Sequence, residues 1–120
     1  MRKYAEMMKP GKVSVWMGNI YPETELLSYV DDGGFGLDFD FETNPRMRRE
    51  LTSEKEAVGV ERLVRGFSSW QAFAYAFIES ATSRGIVAAK ALVVVYAFEY
   101  EPTPMVNPNT PLSFVGVFDF

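Results

Sequence analysis

The chain has 120 residues, 16 acidic and 12 basic side chains, and neither histidine nor cysteine. That length suits one domain with one real core, and 48% apolar with 15% aromatic content excludes intrinsic disorder. A net charge of −4 argues against a nucleic-acid partner, and no apolar run approaches the ~20 residues of a membrane span. Without His or Cys there is no His-based triad, thiolate nucleophile, disulfide or ordinary zinc site. Carboxylates, hydroxyls, Lys and Arg remain, and they permit carboxylate-pair hydrolysis or oxygen-ligated Mg²⁺ chemistry. The lack of cysteine fits the cytoplasm.

Met1 begins a basic stretch with no apolar segment behind it, so no secretory signal is expected. Residues 1–11 read as a loose lead-in, and residues 12–120 as a single domain. Lys12 to Met17 alternates, with Val13, Val15 and Met17 on one side, which predicts a strand ended by Gly18-Asn19. Trp16 falls on the other side and is a candidate partner contact. Pro22 suits the first turn of a helix, with Glu23 and Glu25 near its positive end. Leu26, Leu27 and Val30 form its apolar stripe, and Asp31-Asp32-Gly33-Gly34 stops it.

Between Val13 and Pro45 there are seven acidic residues and no basic one. Within that span Leu37-Asp38-Phe39-Asp40-Phe41-Glu42 alternates strictly. A period of two predicts a strand with Leu37, Phe39 and Phe41 inward and Asp38, Asp40 and Glu42 outward. Such a row either keeps the protein soluble or faces something positive, and in both cases its carboxylates are dispensable to folding. Same-side carboxylates on a straight strand lie about 7 Å apart, so three do not reach one ion, and no metal or other cofactor is expected. Asp31-Asp32-Gly33-Gly34 lacks a calcium-loop ladder, and Gly33-Gly34-Phe35-Gly36 lacks the Lys of a phosphate loop.

Arg46 to Glu56 is charged on all sides and admits a strand at Met47–Leu51. Val60, Leu63, Val64 and Phe67 predict a short helix closed by Gly66. Ser68 and Gln71 form a capping box ahead of a helix whose stripe is Trp70, Phe73, Ala74, Phe77, Ile78 and Ala81, ended by Arg84-Gly85. Ala88 to Tyr100 holds an unbroken aliphatic run suited to a central strand. A loop with Pro102, Pro104, Pro108 and Pro111 follows, and Ser113 to Phe120 is a closing strand. The expected class is α+β: a mostly antiparallel sheet of about four strands, with two to three helices packed on one face. Tyr96, Phe98, Tyr100, Phe114, Phe118 and Phe120 would form a binding patch wherever the sheet is left uncovered.

Four segments together resemble one family. They are Lys12-Val-Ser-Val-Trp-Met-Gly18-Asn19, Gly66-Phe-Ser68, Ala91 to Tyr100, and Phe114-Val-Gly-Val-Phe-Asp-Phe120. An opening V-S-[IV]-W-x-G strand, a central G-F-S helix start, an aliphatic strand ending Y-x-F-x-Y and a closing F-x-G-x-F strand resemble the immunity protein 22 family, antidotes to bacterial polymorphic toxins. The chain departs from that pattern in a shorter, glycine-rich acidic region at residues 31–36 and in the basic Arg46-Met-Arg-Arg49. The resemblance implies a non-enzymatic inhibitor that binds a cognate toxin, for instance a nuclease, through an acidic surface. The acidic residues that would form such a surface are Asp31, Asp32, Asp38, Asp40 and Glu42, and Trp16 is a further candidate contact. Two other classes stay open: a Mg²⁺-dependent hydrolase using Asp38 and Asp40, and a structural domain that self-associates through an aromatic sheet face.

Overall fold

Alternating side chains on two long central strands build a core on each side of one sheet. The computed structural model describes residues 1–104 and 109–120. Its elements are β1 (Arg2–Lys3), a 3₁₀ turn (Tyr4–Met7), β2 (Met8–Gly18), α1 (Glu23–Asp31), α2 (Gly34–Phe39), β3 (Phe41–Glu42), β4 (Arg49–Gly59), α3 (Val60–Val64), α4 (Trp70–Ser83), β5 (Ala88–Phe98) and β6 (Leu112–Asp119). Four strands form an antiparallel sheet in the order β4-β5-β2-β6, and β1 and β3 form a small parallel pair. The α+β class and the four-strand sheet are as expected. Pro108 of the proline-rich loop lies outside the described residues. Among the described residues no helix is long and apolar enough to cross a membrane.

The helices do not share one face. Val13, Val15 and Met17 of β2 and Leu92, Val94 and Tyr96 of β5 pack with Val60, Leu63 and Val64 of α3 and Phe73, Ala74, Phe77 and Ala81 of α4. Trp16, Ala91, Val93, Val95 and Phe98 point the other way. They pack with Leu26 and Val30 of α1, Phe35 and Phe39 of α2, and Tyr4, Met7 and Phe41. The physical reason is in β5 itself: both sets of its alternating side chains are apolar, so each face needs its own cover. The sheet aromatics are absorbed by these two cores. Tyr96, Phe98 and Tyr100 are buried, and Phe114, Phe118 and Phe120 pack against the clusters, so among the described residues these aromatics leave no open aromatic sheet face.

Residues 1–11 are not a loose lead-in. Arg2 and Lys3 pair with Phe41 and Glu42, and Tyr4 and Met7 are buried. Ser14 is buried beside a positive-φ residue of β5, Ala97. Its hydroxyl donates to the Phe98 carbonyl at 2.8 Å and accepts from the Tyr100 N–H at 2.9 Å. A side chain thus replaces backbone pairing where the register between β2 and β5 shifts.

The capping box at Ser68 does not form. Ser69 is the residue before α4, in a left-handed conformation and without a side-chain cap, while the Ser68 N–H donates to Glu50 Oε1 at 2.8 Å. The far end of α4 behaves as the sequence indicates. Gly85 has φ +77°, and the N–H groups of Gly85 and Ile86 return to Thr82 and Ala81.

Candidate functional site

The acidic segment expected as one strand is helical from Gly34 to Phe39, and only Phe41–Glu42 is strand. Phe35 and Phe39 stand four apart, and on a helix both reach the core; on a strand Phe35 to Phe41 would crowd one face. Gly33 at φ +102° and Asp40 at φ 60° bracket α2 with left-handed residues, conformations that glycine and aspartate tolerate best. The expected inward Leu37 therefore points outward, and it is 70% exposed.

This geometry breaks up the acidic row. Asp38 accepts a 2.6 Å hydrogen bond from the Tyr29 hydroxyl of α1. Burial, and then the Asp38 carboxylate, push the Tyr29 hydroxyl well above its ordinary pKa. Asp40 faces Arg2, whose guanidinium also donates to the Asp40 and Phe39 carbonyls at 3.1 and 3.3 Å. Asp31 holds Arg49 through both oxygens, at 3.0 and 2.6 Å. Asp32 accepts from the Ser28 hydroxyl. Glu42 is exposed on β3. Of the five proposed acidic contacts, all but Glu42 have a partner within the chain, which corrects the expectation of an unpartnered row.

Trp16 is corrected as well. It is 0% exposed and touches no surface. The rings of Phe35, Phe39, Tyr100 and Phe114 enclose it, with centroids 4.8 to 5.8 Å away. Its indole N–H has no hydrogen-bond partner and is surrounded by aromatic rings.

What the α1–α2 layer leaves outside is a mixed surface. Tyr21, Leu27 and Leu37 are exposed, as is Met1. Glu23, Glu25 and Glu42 are exposed too and make no ion pair among the described residues. Two adjoining hollows cross this side and share Thr43. One, of about 410 Å³, is lined by Met1, Leu37, Phe41 and Glu42. The other, of about 540 Å³, contains the Asp31–Arg49 pair with Asn44 and Met47. Sequence reading missed Leu37 and Met1 as surface groups. The signal was the Phe35/Phe39 spacing between Gly33 and Asp40, which the stronger-looking alternation masked.

No cluster of three or more carboxylates is placed to hold a metal ion among the described residues. Asp38 and Asp40 are drawn to different elements, one toward α1 and one toward β1. Compared with known protein families, characterised proteins and solved structures, the chain matches none.

Proposed function

We propose that this protein is an immunity protein, which binds a cognate bacterial toxin in the cytoplasm and neutralises it by occlusion rather than by catalysis. The resemblance of its four strand and helix-start segments to the immunity protein 22 family motivates the reading. The observation that carries it is that α1, α2 and their flanking residues expose Tyr21, Leu27 and Leu37 as well as the carboxylates Glu23, Glu25 and Glu42, which make no ion pair among the described residues. Exposed apolar side chains interspersed with charged ones are the composition of a protein-binding surface, and the acidic excess of the chain favours a cationic partner. Complementary charge also speeds encounter, which suits an antidote.

The test is to mix the purified protein with the toxic protein encoded by the adjoining gene. A stable complex is expected, with loss of toxicity and with association that slows as salt rises. No complex at micromolar concentrations would overturn the proposal. A melting temperature raised several degrees by millimolar Mg²⁺, and no longer raised in Asp38→Asn, would favour the hydrolase reading instead.

A further inference from the structure

We propose that this protein pairs with a second copy of itself through the free edge of β4, antiparallel and centred on Leu51, so that the two sheets join into one. The proposal is independent of the inhibitor reading and uses a different part of the molecule.

The sheet has two edge strands, β6 and β4. An edge offers its N–H and C=O groups to another strand unless something covers it. At β6 the cover comes from α4. Arg84 donates to the Phe114 carbonyl at 2.9 Å, and the Ser80 hydroxyl to that of Val115 at 3.4 Å. The first half of β4 has no such cover. The Tyr96 N–H donates to the Arg48 carbonyl at 2.8 Å, so Arg48 and, by alternation, Glu50 and Thr52 turn their backbone groups toward β5. Arg49, Leu51 and Ser53 then turn theirs outward. No other strand and no side chain among the described residues hydrogen-bonds to them. Beyond Ser53 the register shifts and Glu54 to Ala57 stand exposed, which ends the regular stretch.

The occupant follows from the order of both charge signs along the strand. The segment begins with Arg46, Arg48 and Arg49 and ends with Glu54 and Glu56. A strand that runs from basic to acidic is complementary to itself when turned antiparallel. One register of β4 with β4 uses all three outward residues: Leu51 opposite Leu51, and Arg49 opposite Ser53 twice. The same register sets Arg48 opposite Glu54 of the second copy, also twice. Both side chains are exposed, and neither makes an ion pair in its own chain. Both lie on the α3–α4 face of the sheet. Arg48 sits over the Tyr96 ring, 5.4 Å from its centre, and Glu54 lines a hollow of about 310 Å³ with Glu50 and Thr52. Arg62, the remaining charge of that hollow, belongs to α3 and does not pair with Glu54. Glu50 meets Thr52, so no like charges stand directly opposite one another. A two-fold contact of this kind is closed by two copies and leaves no further edge of the same sort.

The test is sedimentation equilibrium of the parent at low salt, from about 5 to about 500 µM, with backbone amide exchange followed in parallel. The mass is expected to rise toward that of two chains. The amides of Arg49, Leu51 and Ser53 are expected to exchange more slowly as it does, while those of Glu50 and Thr52, already bonded to β5, change little. A protein that stays monomeric over this range, or that dimerises with those three amides unprotected, overturns the proposal. Charge reversal reads the register. Arg48→Glu and Glu54→Arg each set like charges opposite one another twice and are expected to weaken the dimer about tenfold or more. The double variant remakes both pairs and is expected to recover most of that loss. Glu54→Arg, at an exposed position, is expected to melt like the parent, and Tyr75→Ala, 81% exposed on α4, to leave the dimer unchanged. Single variants that dimerise as tightly as the parent, or a double variant no better than the singles, refute the pairing. A monomeric parent that still captures the adjoining gene's toxin refutes edge pairing and leaves the inhibitor reading standing.

Discussion

At the scale of single residues, the two tryptophans exchange roles. Trp70, on the apolar stripe of α4, is only half-buried, whereas Trp16 is fully enclosed by four rings. Trp16→Ala is expected to cost about 3–5 kcal/mol, the usual loss on emptying a large aromatic site. Trp70→Ala is expected to cost about half as much, because its ring already meets water. Urea melts of both variants check the order, and equal losses would contradict it. The carboxylates divide in the same way. Asp38→Asn weakens a charge-assisted bond to a half-buried tyrosine and is expected to cost about 1–2 kcal/mol. Glu42→Gln, at an exposed position with no ion pair among the described residues, is expected to change stability by less than about 0.5 kcal/mol. Equal melting midpoints for the two variants would restore the picture of a freely dispensable row.

At the scale of elements, α2 shows how a short segment is decided by its neighbours. Its alternating sequence suits a strand, yet two left-handed termini and two core-directed phenylalanines make it a helix. The tightest point is Gly36 against the Phe41 carbonyl. Gly36→Ala is expected to push α2 off β3 and destabilise the fold by about 1–3 kcal/mol, although alanine is the better helix former. Thermal melting, together with the near-ultraviolet signal of Trp16, reads this directly. A stabilised Gly36→Ala protein would mean that β3 yields easily. On the other side of the sheet, the apolar stripe of α4 and its Gly85 terminus follow local rules, whereas its N-terminus does not, because the Ser68 N–H is taken by Glu50.

At the scale of the whole molecule, the tyrosines couple stability to alkaline pH. Burial is the first cause that raises the hydroxyls of Tyr4, Tyr29, Tyr96 and Tyr100 above their ordinary value. The Asp38 carboxylate adds to the shift at Tyr29, and Glu50 adds to it at Tyr96. These groups stay protonated in the fold where the unfolded chain, with tyrosines near pH 10, releases its protons. The native state then binds more protons than the unfolded state, so stability falls as pH rises above about 10. The urea midpoint is expected to be flat from pH 7 to 9 and to drop between pH 10 and 11. A flat profile through pH 11 would contradict the buried placement of these rings. Two helical layers on one sheet explain why so many rings are enclosed in so short a chain.

The α+β class, three of the four sheet strands, the stripe of α4 and the glycine stop after it were legible in the sequence; the fourth strand, β4, was read only as admissible at Met47–Leu51, and the acidic segment expected as a strand is not part of the sheet. The legible features rest on periodicity and on local backbone chemistry, which neighbours in the chain already contain. The cover on the second face of the sheet was also implicit in β5, whose alternate side chains are apolar on both sides. Only the tertiary structure decided the candidate surface. Whether residues 35–42 alternate as a strand or wind as a helix depends on which core receives Phe35 and Phe39. Whether Asp31, Asp38 and Asp40 face a partner depends on Arg49, Tyr29 and Arg2, which lie 18, 9 and 38 residues away. Such pairings are made by the fold and leave no mark in the spacing of the acids themselves. Leu37 reaches the surface for the same reason: the core took the phenylalanines on either side of it.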